Sequence, residues 1–179
     1  MTTYLKAPAL PNLGVYFDAK GYAIIRFAYL ENRYQVTAMA TSKKCSLELF
    51  LVHLGNLETV ESAYINSSKL AIHGLSQSGI RAIISDMPTD YDRAAPVNLR
   101  DTHEILSALI TDRKLEICQE HLKNLTTDLS RYEIGDNCHT VLALFYGIGI
   151  HAINQQRLAN HRKGYTTGQT YQGYSIAYY

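Results

Sequence analysis

Three stretches of apolar and β-branched residues, 13–18, 22–30 and 34–41, run through the first quarter of the chain, rich in Val, Ile, Tyr, Phe and Thr. The short turns Ala19-Lys20-Gly21 and Glu31-Asn32-Arg33 separate them, which predicts an antiparallel three-strand meander. The period then changes. Leu47, Phe50, Leu51 and Leu54 recur at helical spacing, so a helix is expected from a cap at Ser42 to about Asn56, with Gly55 marking its end. A short strand (60–66), a helix (67–78) closed by Gly79 and an apolar strand (80–85) follow. Strand, helix and strand in so short a span imply a right-handed crossover and parallel pairing.

Residues 86–98 hold two prolines and three aspartates and read as a loop. A helix over 99–112 buries Ile105, Leu106, Leu109 and Ile110; 114–118 is a brief strand or extended link; helices over about 119–132 and 137–158 complete the pattern. The expectation is an α/β domain in which the meander is continued by parallel strands and flanked by helices, with residues 1–12 as an extension and 13–158 as the domain. Residues 159–179 form a tail. Its last part, 164–179, carries five of the fourteen tyrosines, three glycines and no charged residue, and reads as a flexible or partner-ordered segment.

Composition narrows the function classes. With 46% hydrophobic residues in 179, one domain with a substantial core is expected. Seventeen Lys and Arg against 16 Asp and Glu leave a net charge of +1, so contact with DNA must come from a local patch. Cys45, Cys118 and Cys138 lie far apart without a CxxC pair, which fits neither a disulfide framework nor a cysteine zinc site. No run approaches the length of a membrane span and the N-terminus lacks a signal-peptide core, so the expected setting is the cytoplasm. His73, His103, His121 and His151 show no paired metal spacing and are read as structural.

The candidate chemistry begins at Asp18. If strand 60–66 lies parallel beside strand 13–18, Asp18 and Asn66 become lateral neighbours at the carboxyl edge, where open α/β sheets hold their ligands. Asp136 and His139, three residues apart at the start of the last helix, could share its face above that edge. Each also has an ordinary reading: Asp18 as a turn residue, Asp136 as a helix N-cap, His139 as a surface helix residue. Asp86, at the end of another strand on the same edge, is a fallback ligand. Lys20, Lys69, Arg93, Arg100, Arg157, Arg162 and Lys163 are candidate phosphate contacts or simply solvated surface.

The order of "YFDAKGYAIIRFAYL", "AYIN", "GIRAIISDMP", "RDTHEILSALITDRKLEI" and "GDNCHTVLALFYGI" over about residues 13–155 resembles the ribonuclease H-like nuclease domain of the large terminase subunit of tailed phages. The resemblance implies a ribonuclease H-like mixed sheet and a three-carboxylate site holding two divalent ions, Mg²⁺ or Mn²⁺, that cuts packaged DNA. Asp18 and Asp136 match as catalytic residues and metal ligands, Asn66 matches a catalytic position only, and His139 serves as an auxiliary ligand. Lys20, Lys69 and Arg157 are then DNA contacts. The partners implied are double-stranded DNA, a packaging ATPase and the portal, in the cytoplasm of a host. Asn66 and Asn137 stand where the family carries acidic residues. The alternatives are therefore a nuclease-fold module that no longer cuts and instead binds DNA or docks on a packaging motor, or an enzyme like a junction resolvase. No Walker A loop occurs, so the motor ATPase is expected elsewhere.

Overall fold

The computed structural model describes residues 10–57, 59–87, 97–134 and 136–166, with side chains to 161. Most of loop 86–98 and the tail from 167 lie outside the described residues, as do Arg93 and the side chains of Arg162 and Lys163.

Three long strands form first: β1 (Asn12–Asp18), β2 (Gly21–Leu30) and β3 (Arg33–Ser42). They pair antiparallel in sequence, with Asp18 opposite Gly21 and Tyr22 opposite Ser42. Because that ladder reaches Ser42, the backbone there is extended and the next helix starts later than expected. Helix α1 (Leu47–Gly55) is capped by Ser46, whose hydroxyl accepts from Leu49 N at 3.2 Å.

Then come β4 (Ser62–Ile65), α2 (Lys69–Gln77) and β5 (Arg81–Ile84). β4 pairs parallel with β1 and β5 parallel with β4. Helix α3 (Leu99–Thr111) and strand β6 (Leu115–Ile117), parallel to β3, lead to α4 (Gln119–Arg131). The sheet order is β5-β4-β1-β2-β3-β6. The chain closes with α5 (His139–Leu144), a π-helical stretch (Phe145–Gly149) and α6 (Ile150–Thr166). Helical backbone angles at Leu144, Phe145 and Ile150 make these one continuous helix, which runs past residue 158 to Thr166. Among the described residues no helix is long and apolar enough to cross a membrane.

Side-chain alternation along β1 divides the molecule into two layers. Leu13, Val15 and Phe17 pack with Phe50 and Leu54 of α1 and Ala71 and Leu75 of α2. Gly14, Tyr16 and Asp18 face the other way, toward the closing helix, whose residues 141–146 are buried with Phe27, Tyr34 and Leu106.

Two glycines set the height of that helix above the sheet. A Cβ on Gly14 would run into the Ala143 carbonyl and come within 2.7 Å of Gly147 Cα; one on Gly147 would meet Gly14 Cα at 2.7 Å and Phe27 Cε1 at 2.9 Å. Strand and helix therefore touch backbone to backbone. From this contact β1 rises four residues to Asp18, roughly 14 Å. The helix runs back eight residues to His139, roughly 12 Å. The two tips meet at the same level.

Candidate active site

Asp18 closes β1, and the tight turn behind it uses its carboxylate: Oδ1 accepts from Lys20 N at 2.7 Å and Gly21 N at 3.2 Å. From the other layer His139 Nε2 lies 2.8 Å from the same Oδ1. Asn137 Nδ2 donates to Oδ2 at 2.8 Å. Turn chemistry and a long-range cluster thus coexist at one side chain. His139 and Asp18 keep only 20% and 23% of their side-chain surface exposed, so the pair is partly shielded. Burial works to raise the Asp18 carboxyl, but hydrogen bonds from His139, Asn137 and the Lys20 amide outweigh it, and the pKa lies below its ordinary value.

Helix α5 is held against α4 by Thr140, which donates to Asp128 Oδ2 at 2.6 Å. Beside the cluster, the Tyr16 ring lies 5.5 Å from His139 and 5.8 Å from Tyr146. Tyr16, Tyr146, Met87, Leu99, Leu142, Asp136 and Asn137 line an open depression of about 190 Å³. Burial, then the Asp18 charge, raise the Tyr16 phenol. Burial, with Asp86 and Tyr16 adding, raises Tyr146 further. Both phenols stay neutral near pH 7.

Asn66 follows β4 next to β1, yet its amide does not face the cluster. Its Oδ1 accepts from Phe17 N at 3.2 Å and its Nδ2 donates to Phe17 O at 2.9 Å. Both ends of the amide continue the β1–β4 ladder, a task that a carboxylate, lacking the N–H, would fulfil only by half. Asp136 caps no helix. It exchanges bonds with Glu133, its Oδ2 accepting from Glu133 N at 2.9 Å and its own N–H donating to Glu133 O at 2.9 Å, while α5 is preceded by Cys138 without a side-chain cap. Asp86 is exposed, and its Oδ1 accepts from Ser67 N at 3.2 Å.

Lys20 lies in the turn behind Asp18, and Lys69 opens α2 at the carboxyl end of β4; both are exposed. Arg157 is eighteen residues along the closing helix from His139, roughly 27 Å away. The structure does not bring it to this edge. Sequence reasoning missed Asn137 as a partner of Asp18, and Tyr16 and Tyr146 as the wall. Tyr16 was within reach: two residues before Asp18 in a strand, it must share its face.

No family model matches the chain, and no curated protein matches it by sequence. Solved structures do. The nuclease domain of the bacteriophage SPP1 large terminase, with bound Mn, superposes with TM-score 0.53 at 17% identity over 79% of this chain and 86% of that one. The human cytomegalovirus terminase nuclease domain gives 0.50 at 13% over 84% and 89%. The fold is ribonuclease H-like. The large terminase of a thermophilic bacteriophage gives 0.56 at 12% over 82% of this chain and 40% of that one, so the chain spans about two fifths of that protein. This ribonuclease H-like fold carries Asp18 at the tip of its central strand, as the order of elements implied.

The donor set at this edge bears on how many ions it could hold. Among the described residues, no three His, Cys, Asp or Glu ligand atoms gather within 4.8 Å there. Of those residues Asp18 is the one carboxylate at the cluster, with His139 beside it and Asp136 bordering the depression. That set fits one divalent ion completed by water and phosphate oxygens, as Mg²⁺ commonly is. Among the described residues, the Asn66 amide is committed to Phe17 and adds no ligand to that set.

Proposed function

We propose that this chain is the metal-dependent DNA endonuclease domain of a viral DNA-packaging terminase, cutting concatemeric DNA by phosphodiester hydrolysis with Mg²⁺ or Mn²⁺. The observation that carries the reading is the meeting of Asp18, Asn137 and His139, residues about 120 apart in sequence, at the carboxyl edge of a terminase-nuclease fold. Asp18, with Asp136 or His139 assisting, would hold the ion, which would supply positive charge against the scissile phosphate. The chain's own part is positional. The Lys20 and Gly21 amides hold Oδ1 and Asn137 steadies Oδ2, so the carboxylate is presented in one orientation. Lys20 and Lys69, exposed on the same edge, neutralise neighbouring phosphates without reading sequence. A packaging ATPase and a portal are the partners of this reading, supplied by other chains or by a longer protein.

The tie between Asn66 and Phe17 favours a second reading, a nuclease-fold module that binds DNA or docks on a motor without cutting. A plasmid-nicking assay with Mn²⁺ and Mg²⁺ separates the two. Metal-dependent nicking that disappears in Asp18→Ala supports the enzyme. Intact plasmid at high protein concentration, with DNA binding retained, supports the module.

A further inference from the structure

The geometry points to a second metal site, for a borderline-soft divalent ion of the Zn²⁺ class, formed by Cys118, Glu120 and His121 where strand β6 turns into helix α4. Among the described residues these are the three His, Cys, Asp or Glu side chains whose ligand atoms all lie within 4.8 Å of one another. Around Zn²⁺, bonds of about 2.0–2.3 Å put tetrahedral ligands roughly 3.4–3.7 Å apart. Closing the gap takes about 1 Å, within the reach of side-chain rotation.

The backbone under the triad is already fixed. Cys118 N donates to Val36 O at 3.0 Å, tying the turn to β3, and Cys118 O accepts from His121 N at 2.9 Å and Leu122 N at 3.0 Å. The thiol makes no helix-capping bond. Among the described residues none of the three side chains has another partner, so their donor atoms converge without satisfying one another.

Sulfur, nitrogen and oxygen donors together select a transition ion over Mg²⁺. The charges agree as well. Bound to the ion, the sulfur and the carboxylate would together bring two negative charges to a dication, beside the positive end of the α4 dipole. Glu120 is exposed, leaving the fourth position to water. The ion would clip β6, the three-residue edge strand, to the helix that follows it.

This site is independent of the nuclease reading. Val36 is level with Phe27 and, across β2, with Asn12 at the foot of β1. Cys118 is therefore roughly 20 Å below Asp18 along the strands and about 14 Å across them.

The test uses the full chain with Zn²⁺ alone, by titration calorimetry, and with Co²⁺ as a spectroscopic substitute. One ion should bind at this site with a micromolar Kd, whatever the Asp18 edge takes up, Co²⁺ should develop a thiolate charge-transfer band, and Cys118→Ser and His121→Gln should each weaken that binding at least tenfold. Asp18→Asn should leave it unchanged. Peptide mapping after alkylation adds a reading on the unmutated protein: Zn²⁺ should protect Cys118 while exposed Cys45 still reacts. Binding that survives Cys118→Ser and vanishes in Asp18→Asn would overturn the site, as would a Co²⁺ complex without the thiolate band or equal alkylation of both cysteines.

Discussion

Asp18 and Cys118 each sit at the carboxyl end of a strand, and they are built in opposite ways. The surroundings of Asp18 come from residues 119 and 121 positions away and exist only because the closing helix lies flat on β1. The Cys118 triad spans four consecutive residues and needs little more than one helical turn and a hydrogen bond to β3. A site of the first kind depends on the whole fold, whereas one of the second kind persists through changes elsewhere. Its donors, however, carry no family signature by which to notice them.

The largest effect should come from Gly14→Ala. The added methyl meets helix backbone that cannot rotate away, so overpacking should cost about 3 kcal/mol. It should also move His139 off Asp18. Urea denaturation together with the His139 imidazole signals in NMR would show both effects, and Zn²⁺ binding at Cys118 should survive in the folded fraction. Loss of that binding at native pH would mean that the two regions are coupled after all.

Asn66→Ala removes both bonds to Phe17 and should cost about 1–2 kcal/mol. Asn66→Asp keeps the acceptor but sets a carboxylate against the Phe17 carbonyl, so it should destabilise as well. If Asn66→Asp instead matched the parent in urea melts while raising Mn²⁺ affinity, position 66 would belong to the metal site rather than to the ladder.

A pH effect should come from His151, packed among Tyr29, Tyr34, Tyr64 and Phe27, with Nδ1 2.9 Å from the Tyr34 hydroxyl. Burial lowers its pKa. The unfolded chain then takes up a proton that the folded chain refuses, so stability should be full above the ordinary value near 6.5 and fall as pH drops toward the lower folded value. Urea melts at pH 8 and pH 5 should show the loss, and His151→Gln should flatten it.

Asp18 should contribute least, because solvent still reaches it. Its lowered pKa stabilises the fold above the ordinary carboxylate range, and that contribution is lost as pH falls through the folded value. Asp18→Asn should therefore lower stability slightly at neutral pH and flatten the acid limb, urea melts of variant and parent converging at low pH; a difference that persists undiminished there would mean that the carboxylate charge does not set the effect.

Period-2 alternation over 13–41 was enough to place the meander, and the strand–helix–strand rhythm enough to make β4 and β5 parallel, since both rest on local spacing; that β4 lies beside β1 was a supposition the structure bears out. Asp18 was legible for the same reason: a carboxylate at a strand's end lies at the carboxyl edge wherever that strand packs. The role of Asn66 was not, because an amide that continues a ladder looks in sequence like one replacing a carboxylate. Ser46 rather than Ser42 starts α1 because the extent of a strand depends on its partner.

The chain's own pattern thus determined the meander, the parallel pair of β4 and β5, and that Asp18 closes a strand, because hydrophobic period and turn chemistry act over a few residues. Only the tertiary structure decided that Asn137 and His139 hold Asp18, that Asn66 and Asp136 are committed to backbone partners, and that Gly14 must meet Gly147. The contacts at Asp18 and Gly14 join residues more than a hundred apart and Asn66 reaches 49 residues to Phe17, while Asp136 is taken by its near neighbour Glu133; no local period encodes any of these pairings.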